Sequence, residues 1–185
     1  GKSCLVAATS QTAGRGRRGR TFYSPADTGL YFSVAFPWER PEPPSLLTTV
    51  AAVATALALE ATFSVEVGLK WVNDLFVQGH KVGGILTEAI VDPESGQVSA
   101  LVLGIGLNLM SPKYGFPEDL AGIAGAVTDG SVVVNRSTLI ADICNLVAEI
   151  ICQLPSRAYL DEYRRRCFII GREVVLDTGQ TVVVE

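Results

Sequence analysis

A chain of 185 residues and 19.7 kDa, 48% hydrophobic and 18% charged, can bury a core as one good-sized domain or as one domain plus a small appendage, and its composition excludes disorder. The net charge of −4 is unevenly spread: residues 1–20 carry Lys2, Arg15, Arg17, Arg18 and Arg20 and no acid, whereas the other 165 carry 10 basic against 19 acidic side chains, a net −9. A cationic loop on an acidic body points to a local anionic partner and excludes a whole-surface nucleic-acid footprint.

In chain order, Cys4 to Thr9 reads as a short buried strand. Gly14 to Arg20 has neither helical nor strand period and is a loop. Gly29 to Phe36, rich in aromatic and β-branched residues, is a strand. The proline-rich connector 37–44 leads to a mostly buried helix over Ser45 to Thr62, with Ser45 as N-cap. Strands follow at Val65 to Trp71, Asp74 to Val77, Lys81 to Ile90 and Val98 to Leu109, the second and third forming a hairpin at Gln78-Gly79. Residues 111–130 are irregular. An amphipathic helix covers Ser137 to Leu154, a second covers Ser156 to Cys167, and a hairpin pairs Glu173 to Asp177 with Thr181 to Glu185. Runs of strands with flanking helices predict an α+β fold with a mixed, mainly antiparallel sheet.

No apolar run reaches the ~20 residues that span a bilayer. The nearest, Leu46 to Leu59, holds three threonines and stops at Glu60, which suits a buried helix. Residues 1–12 lack the order of a secretory signal. Cys4, Cys144, Cys152 and Cys167 form no CxxC pair and read as reduced, buried thiols of a cytoplasmic protein. A single histidine, His80, leaves no material for a histidine metal site or a Ser-His-Asp triad. The chain opens on Gly1 and ends inside an apolar alternation at Glu185, so it reads as part of a longer protein.

Three segments carry chemistry. In Gly14-Arg-Gly-Arg-Arg-Gly-Arg20, glycines let backbone N–H groups approach an anion and arginines add forked donors. Taken alone, it is open between a phosphate-handling loop, an RNA-binding patch and a solvated loop. Lys70-Trp-Val-Asn-Asp74 is followed by Lys81-Val-Gly-Gly-Ile-Leu86, where glycines inside an apolar strand leave space for a ligand and a lysine stands beside it. A plain hairpin with an edge lysine fits the same spacing, and Trp71 reads as a core side chain. Gly104-Ile-Gly-Leu-Asn108 is an apolar strand with small residues on one face, which also suits close packing under a helix.

Together and in this order, these segments resemble the biotin protein ligases, whose marks are a GRGRxGR loop, a KWPND strand, a lysine before a small-Gly-Ile-Leu run, and a GxGxN strand. Gln11 to Arg20, Lys70 to Asp74, Lys81 to Leu86 and Gly104 to Asn108 match them. Val72 replaces the family's proline, a change expected to alter a bend more than the chemistry, and Phe22 replaces an aromatic that is often tryptophan. The family's Ser-Thr-Asn segment lies upstream of the residues given.

The resemblance implies a class II aminoacyl-tRNA-synthetase-like fold. Residues 1–168 would form the catalytic domain, and 169–185 the first hairpin of a C-terminal SH3-like barrel. It implies ATP-dependent conversion of biotin to biotinoyl-5′-AMP and transfer of biotin to a lysine of a biotin carboxyl-carrier domain. Catalysis would fall to Lys81 and Arg17. Gln11, Arg15, Gly16, Arg17, Lys81 and Gly84 would bind biotin and its adenylate. Gly14, Arg18, Phe22, Asn73, Asp74 and Asn108 would face the nucleotide, whose Mg²⁺ arrives with ATP rather than on a dedicated protein site. A homodimer fits the family, DNA binding would need a helix-turn-helix outside these residues, and no membrane is implied. A lipoate ligase shares the fold and the acyl-adenylate chemistry.

Overall fold

The computed structural model describes residues 2–176 and 178–184. Six strands form one sheet: β1 (Cys4–Ala8), β2 (Gly29–Pro37), β3 (Gly68–Lys70), β4 (Asp74–Val77), β5 (His80–Val91) and β6 (Val98–Asn108). Their spatial order is β1-β2-β6-β5-β4-β3, and every ladder is antiparallel. Parallel pairing is confined to isolated bridges, Leu69 with Cys167 and Lys81 with Ala124.

The period-2 alternation of the long central strands sorts side chains to two faces. Leu101, Leu103, Ile105 and Leu107 of β6 are buried with Leu30 and Phe32 of β2 and Ile85 of β5. This face receives α1 (Leu46–Phe63), α2 (Arg136–Cys152) and α3 (Tyr159–Arg166), with α1 resting on β4 and β5. The opposite face carries Gly104 and Gly106 of β6, paired with Leu86 and Gly84 of β5 and with Ser33 and Tyr31 of β2.

α1 is apolar nearly all round, so it is buried on most sides. By length and composition alone it could cross a membrane, yet 67% of its 18-residue window is buried in the protein. Ser45 stands at its N-cap position without a side-chain cap bond, because its backbone is already helical. α2 starts one residue before the expected Ser137 and is capped by Asn135, whose side chain accepts from Ser137 N at 2.9 Å and Thr138 N at 3.2 Å.

Several sequence expectations need correction. β1 is exposed along its whole length, since it pairs only with β2 and forms the sheet edge. The strand expected over Val65 to Trp71 shrinks to β3, because Val67 N bonds to Glu60 Oε1 at 3.0 Å instead of joining the ladder. Trp71 is 62% exposed, not core. The helix expected over 156–167 splits: Leu154–Ser156 is a single 3₁₀ turn, and Arg157 at φ 53 breaks the path before α3. Only Cys167 is a buried thiol; Cys144 is half-buried, Cys4 and Cys152 are exposed, and all four are free. β7 (Glu173–Val175) and β8 (Thr181–Val183) pair as a separate hairpin, and the expected strand ends at Asp177 and Glu185 lie outside the described residues.

Arg166 locks the C-terminal half to the core. It is 6% exposed, and its guanidinium donates to Glu60 Oε2 at 2.8 Å, to Glu162 Oε1 at 2.8 Å and to the Val67 carbonyl at 3.3 Å. Its hydrogen bond draws the Glu60 carboxyl below the usual carboxylate range. Arg165, followed by Arg166, holds Glu162 down at about 2.

Candidate active site

The loop between β1 and β2 folds over the glycine-bearing face. Its two ends close on each other: Phe22 N bonds to the Gly14 carbonyl at 2.9 Å and Gln11 N to the Ser24 carbonyl at 3.0 Å. Within the loop, Gly16 N reaches Arg20 O at 2.7 Å, and Arg17–Gly19 form a 3₁₀ turn in which Arg18 takes φ 57. Beneath lies an open pocket of about 840 Å³, lined by residues 12–21, Leu86 and Glu88. A second cavity, about 360 Å³, sits on the helix side among apolar residues such as Phe32, Trp38, Ile143 and Val147, and offers little polar chemistry.

Gly84 and Gly106, which are not among the residues lining the loop pocket, pair across β5 and β6 and form a glycine floor on the same face. The Phe22 ring lies on them: a Cβ on Gly106 would come within 2.7 Å of Phe22 Cε1. A Cβ on Gly84 would meet Asp74 Oδ1 at 3.7 Å, Lys81 Cε at 3.8 Å and Phe22 Cε2 at 3.8 Å, so three expected site residues converge on that one position. Gly83 does not make room for a ligand. A Cβ there would strike Leu107 Cδ2 at 2.6 Å, so this glycine serves core packing.

Lys81 reaches the floor because of a β-bulge. Leu75 pairs with Gly83 but Phe76 with Lys81, leaving Val82 as an extra residue. The extra residue flips the strand's parity and brings Lys81 to the side of Gly84 and Asp74. Lys81 Nζ donates to Asp74 Oδ1 at 2.6 Å, with a third of the lysine side chain exposed. Its backbone is held on both sides by the 118–127 segment: Lys81 N to Ile123 O and Gly125 N to Lys81 O, both 2.9 Å.

Asn73 sits in the turn between β3 and β4, after a cis peptide bond joining Trp71 to Val72. Its Nδ2 donates to the Ile85 carbonyl at 3.0 Å and its Oδ1 accepts from Arg17 Nη1 at 3.3 Å, tying the loop to β5. Arg15 pairs with Glu88, further along β5 and away from Lys81. Asn108 closes β6, and its Nδ2 donates to the Gly125 carbonyl at 3.2 Å. The fold thus gathers Lys81, Asp74, Gly84 and Phe22 at the centre and docks Arg17 through Asn73. Gln11 and Gly14 stand at the loop base, and Arg15 is sent to a separate carboxylate. Ser24, Glu88 and Gly106 were not singled out from sequence. Gly106 and Glu88 lie within segments that carry a sequence signal, whereas Ser24 has no local signal. Among the described residues, no group of three or more His, Cys, Asp or Glu side chains could hold a metal ion.

The sequence matches the biotin/lipoate A/B protein ligase family over residues 2–108, more than half of the chain. The chain belongs to that family. It is 37% identical over 131 residues to the bifunctional ligase/repressor BirA of Bacillus spizizenii, covering 69% of this chain and 39% of that protein. It is 30% identical over 185 residues to the BirA of Escherichia coli, covering 97% and 56%. The chain therefore spans only about two-fifths to just over half the length of these curated relatives. Its fold is that of the Aquifex aeolicus biotin protein ligase solved with biotin and ATP: TM-score 0.73 and 21% identity over 97% of this chain and 85% of that one. The expected α+β architecture and family are thereby established.

Proposed function

We propose that this chain is the catalytic core of a biotin protein ligase. In the first step a biotin carboxylate oxygen attacks the α-phosphorus of ATP, the bond to the β-phosphate oxygen breaks, and pyrophosphate leaves. In the second, a carrier-domain lysine amine attacks the acyl carbon, the acyl–phosphate bond breaks, AMP leaves and the amine gives up a proton. The observation that supports this reading most is the Lys81 ammonium, held by Asp74 at 2.6 Å beside the Gly84 floor. Two anions must meet in the first step, and a fixed cation between them stabilises the charge that develops on the phosphoryl oxygens.

Arg17 closes the loop over the intermediate, and Arg15 and Gly16 contribute donors to carboxylate and phosphate. Gln11 bonds the polar head of biotin, and Gly84 leaves it room. Gly14 shapes the loop base; Arg18, Phe22, Asn73 and Asn108 face the nucleotide. Mg²⁺ fits as a companion of the ATP phosphates, because Asp74 supplies one carboxylate and Mg²⁺ is commonly held by one or two carboxylates plus phosphates. Residues 1–168 act as this domain and 169–185 begin a further β unit, consistent with the separate β7–β8 hairpin. The partner is a biotin carboxyl-carrier domain in the cytoplasm. A homodimer is compatible with the family, and DNA enters only through a helix-turn-helix outside these residues.

The matched family takes in lipoate as well as biotin ligases, so the deciding experiment offers both acids to the full-length protein. Biotin-dependent exchange of pyrophosphate into ATP, with none driven by lipoate, is the expected result. Exchange driven by lipoate alone overturns the substrate, and exchange with neither overturns the activity.

A further inference from the structure

Gln11 is assigned above to the polar head of the acid substrate, and its amide is held from behind. Its Oε1 accepts from Ser24 Oγ at 2.8 Å, while its own N–H bonds to the Ser24 carbonyl at 3.0 Å. Ser24 is 4% exposed and Gln11 is exposed, so the bond is buried on the serine side and open on the glutamine side. The hydroxyl has one proton, and its other acceptor, the Phe22 carbonyl, is further away at 3.0 Å. Gly14 permits the close approach. A Cβ there would stand 2.8 Å from both Gln11 Oε1 and Ser24 Oγ and 2.3 Å from the Phe22 carbonyl oxygen. A glutamine amide has one acceptor end and one donor end. With Oε1 turned to Ser24, one of its two lone pairs is occupied and the donor end, Nε2, is the end turned away from Ser24.

We propose that Ser24 is a specificity-determining positioning residue that pins the Gln11 amide so that it offers N–H donors. The pinned amide selects a substrate head presenting a carbonyl oxygen, as a cyclic urea does, against one presenting N–H at the same place. Without Ser24 the amide can turn over and serve either head, so the loss falls on discrimination more than on rate. The inference rests on the biotin-activating reading.

The probe is 2-iminobiotin, which keeps the ring size and carboxylate tail of biotin but replaces the urea carbonyl with an imine that is protonated near neutral pH. Acid-dependent pyrophosphate exchange, measured for both acids in the full-length protein, gives the ratio of their kcat/KM values. Ser24→Ala should lower the preference for biotin about 3- to 10-fold, the size of one net hydrogen bond. The change should appear mainly as a raised KM for biotin, because the head group bonds equally in ground and transition states. Ser24→Thr, which keeps the hydroxyl, should restore the native ratio. Gln11→Glu, nearly isosteric and not dependent on the folding of a Ser24 variant, presents only acceptors and should move the preference toward 2-iminobiotin. A native ratio in Ser24→Ala overturns the proposal, as does a native ratio in Gln11→Glu. Absence of exchange with either acid in the unmodified protein overturns the underlying reading and the proposal with it.

Discussion

Arg166 and Lys81 are both cations bonded to carboxylates, and their surroundings set them apart. Arg166 is buried, has Glu60, Glu162 and the Val67 carbonyl as partners, and joins α1 to α3. Lys81 has one carboxylate partner, keeps a third of its side chain in solvent and stands over a floor of glycines. Arg15 and Arg17 are looser still, each meeting a single polar group at the surface. A cation whose donors are saturated in a dry site holds structure. One with a single exchangeable partner and access to solvent can trade that partner for a substrate anion.

The sharpest way to break this contrast is to remove the buried cation. Arg166→Met leaves Glu60 and Glu162 without their shared partner. It should cost about 3 kcal/mol of stability, the lower end of the range for a broken buried pair, since both carboxylates keep some solvent contact. Urea unfolding measures it, and a loss below about 1 kcal/mol would place Arg166 among the ordinary surface pairs.

Acid should weaken the same cluster. The folded Glu162 carboxyl sits at about 2 against an ordinary 4.5, and Glu60 is also lowered, both chiefly through arginine hydrogen bonds. A depressed folded value contributes stability that is complete above the unfolded value and lost as pH falls toward the folded one. Melting temperature should therefore drop between about pH 4.5 and pH 2, and Glu162→Gln should flatten that drop. A profile equally steep in the variant would contradict the assignment.

At the site the expected stability changes are smaller. Gly106→Ala intrudes on the Phe22 ring, the outer end of a half-buried side chain that can lift away. Stability should change by less than about 1 kcal/mol while nucleotide affinity weakens, which calorimetry on the two proteins would register. Unchanged affinity would separate Phe22 from the nucleotide. Smallest of all, Glu88→Gln breaks an exposed pair with Arg15 and should alter stability by no more than about 0.5 kcal/mol, vanishing at high salt.

The contrast between the two clusters was only half legible in the sequence. The glycine/arginine loop and the long strands β2, β5 and β6 carry their signals in composition and period, and they lie where those signals put them. Arg166 had no such signal, because its partners Glu60 and Glu162 lie on two separate helices and only packing joins Glu60 to it. β1 was misjudged because an apolar run looks the same at a sheet edge as at its centre. Trp71 was misjudged because a turn, not a strand, carries it. Gly83 and Gly84 face opposite ways as neighbours in a strand, Gly83 sharing the core face with Ile85, but which side Lys81 takes depends on the bulge at Val82. Long-range pairing sets that bulge, and no residue announces it. Ser24 is invisible for the same reason: its meaning comes from Gln11, 13 residues away across a closed loop.

The central claim is that Lys81 is the cation spent on substrate and not on the fold. Lys81→Met keeps the stem and removes the charge. The direct measurement is biotin-dependent pyrophosphate exchange by this variant in the full-length protein, beside single-turnover transfer from pre-made biotinoyl-5′-AMP and a urea melt. Exchange should fall on the order of 10²- to 10³-fold, with transfer less affected and stability within about 1 kcal/mol of the native protein. Near-native exchange, or a loss of stability comparable to that of Arg166→Met, would contradict it.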